Sequence, residues 1–442
     1  MKNVLYFHTH DTGRFLSPYG HALDTPNLDA LARGGLLFRQ AFDCCPTCSP
    51  ARASLLTGQY PHQCGMTGLT HRGFKLIDPS QHLASFLRQA GFETVLAGVQ
   101  HEVAGEANAI GYERSLQFSG DFHGEQDIAR QRMQVDAHNT AAACDFLRER
   151  HQRPFFLSVG LVSTHRCFPE TPDPQDDPRY MLPPSPVPNV PECRLDWARF
   201  ATMVRLVDRC FGQVMAALRE NGLLESTLVI VTSDHGPAFP GMKCCLTDNG
   251  CGIPLILHLP GTEAGFVSDA LVSQLDVYPT VCEWLGLDSP PWLEGKSLFP
   301  LIRRETPTLH AAVFAELNFH ASKEIARTVR TPRFRYVRRF DAYPKVILAN
   351  IDNGDTKSFQ LREAALAERR RGADEELFDL YYDPSECHSV ACDDAYAATL
   401  ADMRGRLRQW MRETADPLCT LGEMPPPNGV LLDPQDALVP TP

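Results

Sequence analysis

A cysteine at the start of a short predicted helix is the residue of this sequence best suited to do chemistry. Cys48 lies two residues before Pro50, which suits the first turn of a helix, and the helical pattern continues until Gly58. Because free N–H groups and the dipole favour negative charge at a helix N-terminus, this position suits a thiolate or a bound oxyanion. Arg52 follows four residues later on the same helical face and can reach back toward Cys48. Residue 48 is therefore the predicted reactive group.

Four strand-like segments each lead into a histidine or an aspartate. The segments cover residues 4–7, 93–98, 155–162 and 227–232. The polar residues that follow them are His10, Asp11, His101, His165, Asp234 and His235. Because ligands bind at the carboxyl ends of strands in open α/β sheets, we expect one composite site there. Side chains alternate along a strand, so His10 and Asp11 can both face this site only if the first strand has already ended.

These residue types could hold a divalent cation. Asp11 and Asp234 supply carboxylate oxygens, and His10 and His235 supply imidazole nitrogens. With an oxygen from residue 48, they form a plausible ligand set. The sequence therefore predicts a metal site beside the reactive group.

The run from Cys48 to Gly58, CSPARASLLTG, resembles the signature of the type I sulfatases of the alkaline phosphatase superfamily. This resemblance implies that a formylglycine-generating enzyme oxidises Cys48 to formylglycine, whose hydrated aldehyde attacks the sulfur of a sulfate ester or sulfamate. It also implies one divalent ion, usually calcium, with Asp11, Asp234 and His235 at matching positions. His10 stands where the family usually has another aspartate, so manganese and zinc also remain open.

The same resemblance implies roles for four further side chains. Arg52 would hold and activate the hydrated aldehyde, and Lys243 would bind a sulfate oxygen. His101 would take a proton during breakdown of the covalent sulfate, and His165 would protonate or contact the leaving group. The sequence departs from the family at Val99, where a lysine is usual. Another group must replace that cation, or the substrate differs, or catalysis is weakened.

Several alternatives remain open at this point. The pair Asp234-His235 and the missing lysine at Val99 are compatible with a phosphodiester or phosphonate monoester hydrolase of the same superfamily. A non-catalytic carbohydrate-binding homologue would keep Cys48 as a thiol. The pattern His8-x-His10 is found in amidohydrolase barrels, but that scheme has no place for the Cys48 run, and His8 is interpreted mainly as a packed strand residue. The cysteine pairs at residues 44–45 and 244–245 lack the second Cys-x-x-Cys that a structural zinc site needs.

The composition of the chain bears on its binding partners and its cellular location. The 442 residues carry 42 Lys and Arg against 54 Asp and Glu, a net charge of −12, so nucleic acid and anionic membranes are poor partners. No segment has the length of apolar sequence expected of a membrane span, and the N-terminus does not resemble a signal peptide. Fifteen scattered cysteines suit a reducing compartment, so we expect the cytoplasm. An oligomer is possible.

Helix and strand patterns alternate through the first part of the chain, which predicts an α/β fold with a large mixed, mainly parallel sheet flanked by helices. Short strands at hairpin-like spacing follow, so we divide the chain into a catalytic domain, residues 1–305, and a C-terminal subdomain, residues 306–442, with an antiparallel sheet, a helix and a tail. Within the superfamily, His165-Arg166-Cys167 and the segment from Trp410 to Cys419 resemble the heparan N-sulfatases, or sulfamidases. That resemblance implies a sulfated saccharide, in particular a sulfated amino sugar, as substrate.

Overall fold

The structure is a computed structural model that describes residues 1–122, 124–363, 366 and 373–441. Its strands are β1 (Asn3–Thr9), β2 (Leu36–Phe42), β3 (Glu93–Gly98), β4 (Arg114–Ser115), β5 (Phe155–Gly160), β6 (Thr227–Ser233), β7 (Gly252–Ile253), β8 (Leu255–His258), β9 (Phe266–Ser273), β10 (Val313–Phe319), β11 (Lys323–Arg330), β12 (Phe334–Arg339) and β13 (Glu375–Asp379). Its α-helices are α1 (Pro26–Gly34), α2 (Cys48–Thr57), α3 (Pro61–Cys64), α4 (Leu83–Gln89), α5 (Ile128–Arg148), α6 (Pro191–Glu220), α7 (Asp248–Cys251), α8 (Val277–Leu285), α9 (Phe299–Ile302), α10 (Asp355–Arg362), α11 (Ala397–Glu413) and α12 (Pro417–Thr420).

The large sheet has nine strands in the order β4-β3-β5-β1-β6-β8-β2-β7, with β9 paired to β2. Strand β1 lies between β5 and β6 and runs parallel to both. Every residue of β1 is buried because helices cover both faces of the sheet. Val4 and Tyr6 join the apolar layer that includes α2, α4 and α8, whereas Leu5 and Phe7 pack toward α5 and α6. The predicted fold class is confirmed.

A second sheet, antiparallel and ordered β10-β11-β12-β13, follows as predicted. Helix α11 packs on it through Leu400, Met403, Leu407 and Trp410, which share an apolar cluster with Ile325 and Val329. This sheet begins at Val313, and the division at residue 305 stays a prediction. Among the described residues, no helix combines the length and apolar character needed to cross a lipid bilayer.

Two long irregular segments lie outside the helices and strands. The proline-rich stretch between β5 and α6 is irregular apart from a short 3-10 turn at Pro178–Tyr180, as its composition predicts. The C-terminal tail is packed against the protein. The Arg72 guanidinium donates to Asp433 Oδ2 (3.1 Å) and to the main-chain oxygen of Thr441 (2.6 Å), and the Asp433 N–H donates to the oxygen of Ala321 (2.9 Å). These contacts hold the tail beside segments that border the site.

Candidate active site

The site begins where β1 and β6 end side by side. Thr9 and Ser233 are the last paired residues of the two parallel strands, so the next residues of each strand leave the sheet at the same edge. The Asp11 N–H donates to Asp234 Oδ1 at 2.8 Å, which ties the two strand ends together. Asp11 has a φ of 45°, in the left-handed region. Because the strand has ended and the chain turns there, His10 and Asp11 both face the site, which meets the condition set from the sequence.

Cys48 lies at the N-terminus of α2, as predicted, and only 3 % of its surface is exposed. Its Sγ is 3.9 Å from Asp11 Oδ1 and 3.4 Å from His235 Nε2. Burial would raise the pKa of the Cys48 thiol, but the nearby Lys243, His10 and His235 hold it well below its usual value. The structure therefore favours negative charge at residue 48 and places it between the two strand ends.

Donor atoms around Cys48 are close enough to share one cation. One group comprises His10, Asp11, Cys48 and His165, and a second comprises Asp11, Cys48, Asp234 and His235, with the donor atoms of each group within 4.8 Å of one another. All five predicted ligands are thus brought together, and His165 joins them. His10 Nε2 is buried and has no hydrogen-bond partner among the described residues. A buried nitrogen without a partner beside two carboxylates fits a divalent cation.

The charges of the ligand residues agree with this interpretation. Burial would raise the pKa of Asp11 and Asp234, but Lys243 beside Asp11 and His235 and Arg52 beside Asp234 keep both well below the usual range. Conversely, burial would lower the pKa of His235, yet Asp234 raises it to about 9. The buried carboxylates therefore attract positive charge, which is the condition a cation site requires.

Arg52 is fully buried and connects α2 to both strand ends. Its guanidinium donates to the main-chain oxygen of Thr9 and to Asp234 Oδ2, at 3.0 Å each, and it also contacts His8 Nδ1. Arg52, which was predicted to reach back toward Cys48, thus bonds Asp234, whose carboxylate shares a potential ligand group with Cys48. His8 in turn lies 3.2 Å from Ser158 Oγ through its Nε2. Since Arg52 only donates, His8 accepts at Nδ1 and is more than the packed strand residue expected from the sequence.

Lys243 is buried between two carboxylates. Its Nζ is 3.0 Å from Asp11 Oδ2 and 3.1 Å from Asp352 Oδ2. Burial would lower the pKa of Lys243, but Asp11 and Asp352 raise it well above the usual value, so the ammonium is retained. The cation predicted after Asp234-His235 therefore points into the site, and Asp352 is a neighbour that the sequence did not reveal.

His101 and His165 flank His10. Their ring centroids lie 4.7 and 4.9 Å from that of His10, both in edge-to-face arrangements. Burial lowers the pKa of His101 to about 4, so this imidazole is neutral and can accept a proton. The His165 side chain is 24 % exposed, and its Nε2 is 3.9 Å from Asp11 Oδ2. His165 therefore lies at the boundary between the buried ligands and solvent.

Three further features were uncertain or missed. Val99 brings no charge to the site and donates its N–H to the Gly160 oxygen, so nothing at this position replaces the usual lysine. His320, from the turn after β10, contacts Thr47 Oγ1 through its Nδ1 at 2.6 Å, beside the reactive residue. Among the described residues, the potential metal-ligand groups contain no cysteine other than Cys48, so the cysteine pairs give no support to a structural zinc site.

Comparison with known proteins agrees with this geometry. The family model "Sulfatase" matches residues 2–287, and the model "N-sulphoglucosamine sulphohydrolase, C-terminal" matches residues 242–359. The chain is 33% identical to the N-sulphoglucosamine sulphohydrolase of Homo sapiens over 97% of this chain and 93% of that protein. A solved 2-O GAG sulfatase superposes with a TM-score of 0.74 at 21% identity, covering 98% of this chain and 96% of that one. A protein solved in complex with its substrate D-glucosamine-2-N,6-O-disulfate superposes with a TM-score of 0.72 at 19% identity, covering 94% and 98%.

Proposed function

Because this chain belongs to the sulfatase family, we propose that it removes the N-sulfate group of a sulfated amino sugar. Membership of the family makes it a sulfuric ester or sulfamate hydrolase. The amino sugar is supported by the C-terminal family model and by the human relative, whose name specifies N-sulphoglucosamine. The single observation that carries the reaction class is the meeting of Cys48 with Asp11, Asp234, His235 and Lys243 at one point of the fold.

We propose that residue 48 acts as formylglycine, produced by a formylglycine-generating enzyme. When present, the hydrated aldehyde supplies a hydroxyl group that attacks sulfur. The support is the position of Cys48 at the N-terminus of α2, inside the signature run, with the carboxylate of Asp11 and the imidazole of His235 on either side. Both side chains lie close enough to hydrogen-bond a hydroxyl group at residue 48 and so to orient it.

The proposed metal is one divalent ion held by His10, Asp11, Asp234, His235 and residue 48. Such an ion would neutralise charge on the sulfate oxygens. Calcium is the first choice because the family uses it and because carboxylates are hard oxygen ligands. The two imidazoles also suit manganese or zinc, so the metal is to be identified by elemental analysis of the purified protein.

The remaining side chains have roles consistent with their positions. Arg52 fixes the Asp234 carboxylate, and the Lys243 ammonium is placed to contact a sulfate oxygen. His101 is neutral and buried, which suits it to take a proton from residue 48. His165 is partly exposed, which suits it to donate a proton to the leaving amine.

The proposed function is tested by sulfate release from N-sulfated and O-sulfated glucosamine, with a phosphodiester as comparison. We expect release from the N-sulfated sugar, loss of that activity in Cys48→Ala, and its retention in Cys144→Ala, which removes another buried cysteine. Mass spectrometry of the peptide containing residue 48 should show sulfur replaced by oxygen together with the loss of two hydrogens, which distinguishes the aldehyde from a serine. Preference for the phosphodiester, or full activity with an unmodified thiol, would contradict the proposal.

We also propose a cytoplasmic location. It is supported by the fifteen cysteines, which all lie in the described residues and form no disulfide bond there. Fractionation of the source cells with an antibody to this chain tests the location, and a secreted product would contradict it. Size-exclusion chromatography with light scattering tests whether the chain forms an oligomer.

A further inference from the structure

A carboxylate from the C-terminal part of the chain borders the site on its solvent side. Asp352 Oδ2 lies 3.1 Å from Lys243 Nζ, and the Asp352 side chain is 20 % exposed. Asp11, on the other side of the same ammonium, has no exposed side-chain surface. Lys243 therefore separates a fully buried carboxylate, which belongs to the ligand groups, from a second carboxylate that is partly exposed to solvent.

The segment carrying Asp352 is held firmly in place. The buried Lys357 ammonium donates to the main-chain oxygens of Leu348 and Ile351, at 2.8 Å each, and to Asn353 Oδ1 at 3.0 Å. Asn350 Oδ1 accepts from the Ser322 N–H at 2.8 Å. Because these bonds fix the backbone on both sides of Asp352, its carboxylate is preorganised rather than a loose surface group.

Charge restricts what Asp352 can bind. Burial would raise its pKa, but Lys243 and His165 hold the pKa below the usual range, so the group is ionised. An ionised carboxylate repels a sulfate anion, and Asp352 belongs to neither of the ligand groups around Cys48. Its Oδ2 is buried against the Lys243 ammonium, so the 20 % exposed surface of the side chain belongs to the rest of the group, which is the part a substrate can contact. The matching partner is an uncharged hydrogen-bond donor on the substrate.

We propose that Asp352 accepts hydrogen bonds from hydroxyl groups of the sugar ring that carries the sulfate, and that it is a specificity residue for sugar substrates. This inference rests on the proposed function. Sugar hydroxyls are the donors available next to the sulfated position of such a substrate, and a carboxylate can accept from two of them. The competing explanation is that Asp352 only positions Lys243, in which case its removal would affect every sulfated substrate alike.

The test compares Asp352→Ala with the wild type on two substrates, N-sulfoglucosamine and 4-nitrophenyl sulfate, which has no sugar hydroxyls. We expect kcat/KM for the sugar to fall by roughly 10- to 100-fold, mainly through KM, because hydrogen bonds to a charged group are lost. We expect kcat/KM for 4-nitrophenyl sulfate to change by no more than about 3-fold, since the sulfate contacts remain. Asp402→Ala, at an exposed aspartate of the same subdomain, is the matched control.

Inorganic sulfate provides a second readout that does not depend on turnover of the aryl ester. Its inhibition constant should be unchanged or lower in Asp352→Ala, because sulfate has no hydroxyl for Asp352 and one repelling charge is gone. A loss of similar size with both substrates, or a weaker inhibition by sulfate, would overturn the inference in favour of a positioning role. Unchanged sugar kinetics would overturn it as well. If the wild type released sulfate from no sugar, the proposed function would fail before Asp352 is tested.

Discussion

Replacement of Arg52 by lysine should destabilise the protein while keeping its charge. The guanidinium is buried and bonds three acceptors at once, namely His8, the main-chain oxygen of Thr9 and Asp234. A lysine at this position presents one nitrogen on a flexible chain and cannot reproduce the planar fork. We therefore expect one contact, to Asp234, to survive and the other two acceptors to be left without a donor.

The magnitude follows from those two acceptors. A buried acceptor that loses its donor costs about 1–3 kcal/mol, so two of them give a loss of roughly 2–6 kcal/mol in the free energy of unfolding. A loss of this size lowers the thermal midpoint by several degrees. Catalysis should fall as well, because the Asp234 carboxylate, a proposed metal ligand, loses its fixed orientation.

The assay is thermal and urea-induced unfolding of wild type and Arg52→Lys, each followed by circular dichroism. Arg406→Lys is the matched control, because Arg406 forms an exposed pair with Asp402 whose replacement should change stability by at most about 0.5 kcal/mol. If Arg52→Lys unfolded at the same midpoint as Arg406→Lys, the buried guanidinium would not hold the strand ends together and the reasoning would be refuted.

Three further predictions concern the metal, the leaving group and pH. Chelation should abolish sulfate release, and Asp234→Asn should raise the metal concentration needed to restore it. If elemental analysis showed that the protein holds no metal while it kept full activity, the metal site would be contradicted. His165→Ala should lower kcat for N-sulfoglucosamine about 10²-fold more than for 4-nitrophenyl sulfate, since an amine is the poorer leaving group, and equal losses would exclude His165 as the proton donor. Burial opposes protonation of His62, but Glu316, 2.7 Å away, raises the pKa of the imidazole above its usual value. The protonated imidazole therefore stabilises the folded protein fully below about pH 6.5, and this stabilisation is lost as pH rises through the folded-state pKa. The difference in thermal midpoint between wild type and His62→Gln should therefore shrink from pH 6 to pH 9, and a constant difference would contradict this.

Much of the fold and part of the site could be predicted because their signals are local. Buried parallel strands are continuous apolar runs, and ligand residues follow them directly, as at Asp11 and Asp234. Pro50 and Gly58 mark the two ends of the helix that presents Cys48. Helix ends are harder to predict than helices: α5 begins at Ile128, where the side chain of Asp127 caps its first turn.

The rest of the site depends on contacts between residues far apart in the chain. Asp352 meets Lys243 and His320 meets Thr47 because the C-terminal part of the chain packs against the large sheet where β2 and β9 end, and no spacing in the sequence records that arrangement. The interpretation of His8 mainly as a packed strand residue missed its contact with Arg52, because Arg52 lies 44 residues later in the chain, in a helix. The consequence of Val99 likewise could not be derived from one position, since the charge balance of the site depends on every side chain around it.

The burial of Cys48 affects how thiol-reactive probes should be used on this protein. Cys167, Cys387, Cys392 and Cys419 are exposed, so an alkylating reagent in solution reaches them before the buried Cys48, although the neighbours of Cys48 hold the pKa of its thiol well below the usual value. Cys167 lies two residues after His165, so a bulky adduct there can disturb the proposed proton donor without touching residue 48. Inactivation by such a reagent therefore does not identify the nucleophile unless the labelled peptide is sequenced.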